Sequence, residues 1–240
     1  MRLAVIPARG GSKRIPRKNI RPFVGLPMIA WSIRAAIESG CFERIIVSTD
    51  DAEIAEVGRE YGAETPFVRP AVLSDDHTGT IPVIAHAVRW QDENGPTAQE
   101  VCCIYATAPF IRAADIRRGL YVLDDSGADY AFSVTSYPFP IQRALRLTPE
   151  RRVEMLQPEH FNTRSQDLEE AWHDAGQFYW GKAKAWLTGT PLFGPASAPV
   201  PLPRHRVQDI DTSEDWKRAE LMFKAAVDTG VKASIQNDPR

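Results

Sequence analysis

Short apolar runs alternate with stretches of helical period along the first 134 residues, and no other feature constrains the fold as strongly. Leu3–Ile6, Ile45–Val47, Thr65–Val68, Val101–Tyr105 and Tyr130–Val134 read as strands. Between them, Ile29, Ile33, Ala36 and Ile37 recur on one helical face, with Pro27 suited to the first turn and Gly40 to the stop. Ser48-Thr-Asp-Asp51 can cap a helix from about Ala52 to Tyr61, its carboxylates favourable at the positive end. Further helices are expected near Pro82–Gln91 and Ala113–Leu123. Repeated strand–helix–strand units predict an α/β fold, a doubly wound and mostly parallel sheet. At 240 residues, 43% hydrophobic and 25% charged, the chain suits a single domain spanning residues 1–240.

The rhythm stops between Tyr137 and Trp172, where Pro138, Pro140, Pro149 and Pro158 interrupt every long period, so this stretch reads as an inserted lobe. A strand is expected at Gln177–Trp180, a short helix around Lys182–Leu187, an ordered surface loop over Pro191–Pro203 and a last strand at His205–Val207. The closing helix carries Trp216, Ala219, Phe223, Ala226 and Val227 on one face, and a loose tail follows Gly230. Cys41, Cys102 and Cys103 form no Cys-x-x-Cys pair, and neighbours on a strand point to opposite faces, so buried reduced thiols are expected rather than a metal or disulfide framework. No apolar run approaches the ~18 residues of a membrane helix and no signal-peptide pattern is present, which predicts a cytoplasmic protein with no membrane partner.

Charge is distributed unevenly. Eight basic residues and no acidic one fall between Met1 and Ile37, although the net charge is −2, so the other residues carry about −10. At the centre of the basic region, Ala8-Arg-Gly-Gly-Ser-Lys13 follows the first strand directly. Gly10 and Gly11 lack the Cβ atoms that would hold the backbone away from an anion. Arg9 can fork onto two phosphate oxygens, Lys13 and Lys18 add mobile charges, and Ser12 and Asn19 add neutral hydrogen-bonding groups. The set suits a nucleoside triphosphate. It is neither a Walker A loop nor a Gly-x-Gly-x-x-Gly fingerprint. A nucleic-acid patch is disfavoured, because no aromatic residues are interleaved with the basic ones and the pI is near 6.2.

Far along the chain, Asp209 and Asp211 alternate across Ile210, which on an extended segment turns both carboxylates one way. Two hard oxygen ligands suit Mg²⁺ shared with substrate phosphates and water. The competing role for Asp211 or Thr212 is to cap the final helix, whose first turn holds Glu214 and Asp215.

The run Ile6-Pro-Ala-Arg-Gly-Gly-Ser-Lys13 with Lys18-Asn19, Val47-Ser-Thr-Asp50, Val68-Arg-Pro70 and Asp209-Ile-Asp-Thr212 resembles the acylneuraminate and nonulosonate cytidylyltransferases over nearly the whole chain. Within them, Tyr105-Ala-Thr-Ala-Pro109 and Asp174-Ala-Gly-Gln-Phe-Tyr-Trp180 resemble the branch that activates pseudaminic acid. The resemblance implies attack by the anomeric hydroxyl of a nine-carbon sugar acid on the α-phosphorus of CTP. Arg9, Lys13 and Lys18 would then hold the triphosphate, Asp209 and Asp211 would bind Mg²⁺, and Asp211 is also a candidate base. Arg69 and Asn19 correspond to nucleotide-pocket contacts. Gln177 and Tyr179, alternating on a strand, are expected to line the sugar pocket, and the resemblance implies that Arg164 is lent to the sugar site of a partner subunit. The resemblance further implies a homodimer joined through the 137–172 lobe, in which Gln142, with Arg143 beside it, stands where sialic acid relatives have a lysine. Another sugar acid (sialic acid, legionaminic acid or Kdo) and a nucleotide-binding module without chemistry remain the alternatives.

Overall fold

The computed structural model describes residues 1–228, and for positions 227 and 228 the backbone alone. The tail expected after Gly230, and the side chain of Val227, lie outside the described residues. The strands are β1 (Arg2–Pro7), β2 (Pro22–Phe23), β3 (Leu26–Pro27), β4 (Arg44–Ser48), β5 (Glu100–Ile104), β6 (Tyr130–Ser136), β7 (Leu145–Leu147), β8 (Val153–Met155), β9 (Trp172–Lys182) and β10 (Ser197–Pro201). The helices are α1 (Met28–Ser39), α2 (Ala52–Glu60), α3 (Thr80–Asn94), α4 (Ala113–Ser126), α5 (Ala183–Thr188) and α6 (Ser213–Asp228). Six strands form the central sheet in the order β10-β6-β9-β5-β1-β4. All of its pairings are parallel except those of β9, which runs antiparallel to both β5 and β6.

Period-two alternation in the buried strands builds two cores, one on each face of the sheet. Ala4 and Ile6 of β1 pack with Ile29 and Ile33 of α1 and Ile116 of α4, whereas Leu3 and Val5 pack with Ile84 and Val88 of α3 and Trp186 of α5. Cys102 and Cys103 go to opposite faces as expected, and all three cysteines are free and buried. A third cluster lies at one end: Ile15, from the middle of the basic loop, packs with Phe23, Phe110, Ile210, Trp216 and Phe223. Fully burying one such side chain stabilises by roughly 1.5–3 kcal/mol. This cluster joins the two ends of the chain.

Three expected elements differ. Thr65–Val68 is not a strand: Glu64 bridges Ile46, and the chain then leaves the ladder at Pro66, which has no N–H to donate. The Pro191–Pro203 passage is not loop throughout, because it contains β10, whose Pro199 and Pro201 are tolerated on the outermost strand of the sheet. His205–Val207 is not a strand; Arg204–Arg206 forms a 3₁₀ turn. The Gln177–Trp180 strand is the centre of the much longer β9. Residues 137–171 leave the sheet between β6 and β9 and carry the β7–β8 ribbon with three 3₁₀ turns. Among the described residues no helix is long and apolar enough to cross a membrane.

Candidate active site

In this topology the chain crosses to one side after β1 and to the other before β5, so a crevice opens at the carboxyl ends of those two adjacent strands. There the loop after β1 and Tyr105–Thr107 after β5 face a cavity of about 490 Å³. Arg9, Ser12, Lys13, Lys18, Asn19 and Arg69 all line it. A segment to which the sequence reading gave no role supplies the opposite wall, Leu73 to Thr80, with Asp75 and Asp76. An acidic pair five residues after Val-Arg-Pro was the available signal.

The basic loop is neutralised by acids distant in sequence. Asp76 pairs with Arg9 at 2.7 Å and also with Lys13, while the Asp75 carbonyl accepts from Arg9 at 2.6 Å. Arg14 meets Asp211 at 3.0 Å, and Arg17, at φ +56°, forks onto Asp51 and reaches Glu53. The Lys13 contact, with that of Arg9, holds the exposed Asp76 carboxyl below its usual range, and hydrogen bonds from Thr78 do the same for Asp75. The cationic turn is therefore a set of ion pairs that an anionic ligand would have to exchange.

Local bonding fixes the loop's shape. Ala8 is buried, its amide donating to Ser48. Gly10 N–H donates to Asp50 Oδ1 at 3.0 Å, so this amide is committed to the protein. Asn19 is buried and its amide donates to the Arg9 carbonyl at 3.0 Å, shaping the turn from within. Arg69, 4% exposed, donates to Ser74 Oγ and lies 3.6 Å from Asp50; burial lowers its pKa from the ordinary arginine value. Asp51 caps α2 by accepting from Ile54 N at 3.0 Å, and the Arg17 fork holds its carboxyl below the usual range. Its contribution to stability is therefore complete above the ordinary aspartate pKa and is lost as pH falls through the lowered one. Asp51→Ala is expected to destabilise the protein by about 1 kcal/mol through the cap alone. It should also flatten the acid limb of a pH–stability profile measured by urea unfolding.

Lys18 connects this cavity to the other end of the chain. Its ammonium donates to the Ile210 carbonyl at 2.7 Å and to Asp211 at 3.3 Å, across 193 positions of sequence. Beyond Ile210, Asp209, exposed at the surface, lines a second cavity of about 430 Å³. Tyr105 lines both cavities, and burial pushes its pKa up to about 12. Desolvation at the cavity wall, then the neighbouring Asp211, raises the Asp209 pKa. This electrostatic crowding, with only hard oxygens in the donor set, fits a divalent cation completed by phosphate oxygens and water. The capping role falls to Thr212, whose Oγ1 accepts from Asp215 N, while Asp215 accepts in return from the amides of Asp211 and Thr212, a capping box.

Within one chain the expected sugar contacts do not share a cavity. Arg164 lies on the 137–172 segment, pairs with Asp167 at 2.7 Å and lines neither cavity. Gln177, 3% exposed, also lines neither, because its amide donates to the Arg206 carbonyl. Tyr179 is 1% exposed; its hydroxyl donates to Asp174, and it borders a third, shallower cavity with Tyr105 and Phe193. Burial drives the Tyr179 pKa far upward, so the hydroxyl stays protonated. Alternation alone placed Gln177 and Tyr179 on one open face, but β9 is covered on both sides. The second cavity offers instead Arg204, Arg218 and His173, to which the sequence reading assigned no role.

The pseudaminic acid cytidylyltransferase of Campylobacter jejuni strain 81-176 is 44% identical over 222 residues, covering 92% of this chain and 96% of that protein. The CMP-N,N'-diacetyllegionaminic acid synthase of Legionella pneumophila is 31% identical, covering 92% and 96%. The fold is shared with a solved CMP:2-keto-3-deoxy-manno-octonic acid synthetase, at a TM-score of 0.68 and 16% identity over 93% of this chain and 98% of that one. The family profile described as Cytidylyltransferase matches residues 3–216, and the chain belongs to the cytidylyltransferase family.

Proposed function

We propose that this protein transfers CMP from CTP to a nine-carbon sugar acid, pseudaminic acid in the first place, and releases pyrophosphate. One observation carries the reading: the cavity lined by Arg9, Ser12, Lys13, Arg14 and Lys18 is tied to the Asp209–Asp211 segment by Lys18, which meets the Ile210 carbonyl and Asp211, and by Arg14, which meets Asp211. In it the triphosphate takes over Arg9 and Lys13 from Asp76 and lies against Ser12, with Asn19 and Arg69 toward the nucleoside. Lys18 stands between the phosphates and the aspartates, where its charge offsets that developing on the leaving pyrophosphate. Asp209 and Asp211 would hold Mg²⁺, which supplies charge neutralisation at phosphate oxygens and acidifies a hydroxyl beside it. The sugar acid occupies the second cavity, its anomeric hydroxyl directed at the α-phosphorus past Tyr105. High identity to a relative named for pseudaminic acid supports the choice of sugar.

A substrate panel tests this. Pyrophosphate release is expected with CTP, Mg²⁺ and pseudaminic acid, and not with ATP, GTP or UTP, nor with sialic acid or Kdo. Equal turnover of sialic acid would move the specificity, and no release with any sugar acid would leave a nucleotide-binding module without chemistry.

We further infer a cytoplasmic homodimer joined through residues 137–172. Phe139, Leu147 and Phe161 are 79%, 80% and 69% exposed on this one segment, large apolar side chains that an interface would cover. Arg164 on the same segment would then extend toward the other subunit, which accounts for its distance from both cavities here. Sedimentation equilibrium should give a dimer for the native protein and a monomer for Leu147→Glu/Phe161→Glu; a native monomer would refute the interface.

A further inference from the structure

Asp209 and Asp211 sit on an irregular segment between β10 and α6, and such a segment holds two carboxylates in register only if it is fixed on both sides. Downstream it is fixed by Ile210, fully buried in the third cluster, and by Asp215, which accepts from the amides of Asp211 and Thr212. Upstream, a different device does this. Arg206, 7% exposed, forks onto Asp115 in the first turn of α4, and Asp115 is itself 6% exposed. The Arg206 carbonyl accepts from the buried Gln177 amide of β9 at 2.5 Å. Arg118 completes the arrangement, donating to Asp115 at 3.1 Å and to the Pro201 carbonyl at the end of β10 at 2.6 Å.

We propose that Arg206, held by Asp115 and Gln177, is a positioning residue that sets the place of the Asp209 carboxylate three positions further on. This rests on the reading of Asp209 and Asp211 as the Mg²⁺ ligands. A buried ion pair is a poor source of net stability, since apolar residues of similar volume usually serve as well or better. What the fork supplies is direction: it ties the Asp209 segment to a helix, while Gln177 ties the same residue to the middle of the sheet. Both anchors belong to rigid elements, so Arg206 cannot shift without breaking one of them. The arrangement also gives Gln177 a role that open-face alternation did not suggest. Outer groups that orient metal-binding carboxylates typically affect metal affinity or activity by about 10–100-fold when removed.

The experiment replaces the pair as a unit. In Asp115→Leu/Arg206→Met the buried volume is kept and no buried charge is left alone, since the exposed Arg118 keeps its bond to the Pro201 carbonyl, and Mn²⁺ binding is followed by electron paramagnetic resonance in the presence of CTP without sugar. The expected result is Mn²⁺ affinity reduced about tenfold or more and kcat reduced about 10–100-fold. KM for CTP should stay within about twofold, because Arg9, Lys13, Lys18 and Arg69 are untouched. Native Mn²⁺ affinity and kcat in this variant would overturn the proposal. If the double variant does not fold, Gln177→Met decides instead: it removes only the hydrogen bond to the Arg206 carbonyl, and unchanged Mn²⁺ affinity there would equally overturn the proposal. Asp209→Asn separates the two levels. Loss of Mn²⁺ in Asp209→Asn with retention in the double variant refutes the brace alone, whereas retention in Asp209→Asn refutes the metal assignment on which it rests.

Discussion

Asp211→Ala is expected to lower pyrophosphate release by about 10²–10³-fold, a loss typical of removing one preorganised electrostatic partner of a transition state. CTP binding should be nearly unaffected or slightly tighter. Asp211 holds Lys18 at 3.3 Å and Arg14 at 3.0 Å, so its removal frees both cations for the triphosphate. Lys18 keeps its place through the Ile210 carbonyl at 2.7 Å. The separation of kcat from Kd is the diagnostic: a coupled pyrophosphate assay gives the first and calorimetry with CTP the second. Near-native turnover would remove Asp211 from the chemistry, and a large loss of CTP affinity would show that it binds nucleotide rather than serving the transferring group.

Gly10→Ala is the second large effect. A Cβ at this position would lie 2.6 Å from Asp51 Oδ2, 2.9 Å from its Cβ and 3.1 Å from its Cγ. Asp51 cannot swing aside cheaply, because the Arg17 fork and the α2 cap hold it. The loop must move instead, breaking the Gly10 N–H bond to Asp50. Overpacking of this kind costs about 1–3 kcal/mol of stability. Displacing Arg9 and Lys13 by the order of 1 Å should lower kcat/KM for CTP by about 10²-fold. Gly11→Ala is the control: a Cβ at that position would meet nothing within 4 Å, so thermal stability should be unchanged. Equal melting temperatures for Gly10→Ala and the native protein would show that the Asp51 contact does not constrain the turn.

Both variants bear on a point that the linear reading had the wrong way round. Eight basic residues with no acid among them suggested a loop of unneutralised charge, yet in the fold Asp76, Asp51, Glu53 and Asp211 meet Arg9, Lys13, Arg14, Arg17 and Lys18. The cavity is thus pre-ordered by carboxylates that stand where an anionic ligand would bind, and ligand affinity becomes a difference between two sets of ion pairs. These pairs are partly exposed, and each is worth little by itself.

Sequence alone determined the doubly wound sheet, the opposite-face placement of Cys102 and Cys103, the Asp51 cap and the position of the cation-rich turn after the first strand. Each is local: alternation, helical period, cap chemistry and glycine content are written within a few consecutive residues. Tertiary structure alone decided that β9 runs antiparallel between β5 and β6, that a proline-rich passage supplies an edge strand, and that Gln177 is buried against Arg206. It also decided that Ile15 and Ile210 share one core, which brings Lys18 to Asp211. Strand direction and charge neutralisation depend on partners that only the folded chain brings within reach, as the 193 positions between Lys18 and Asp211 show.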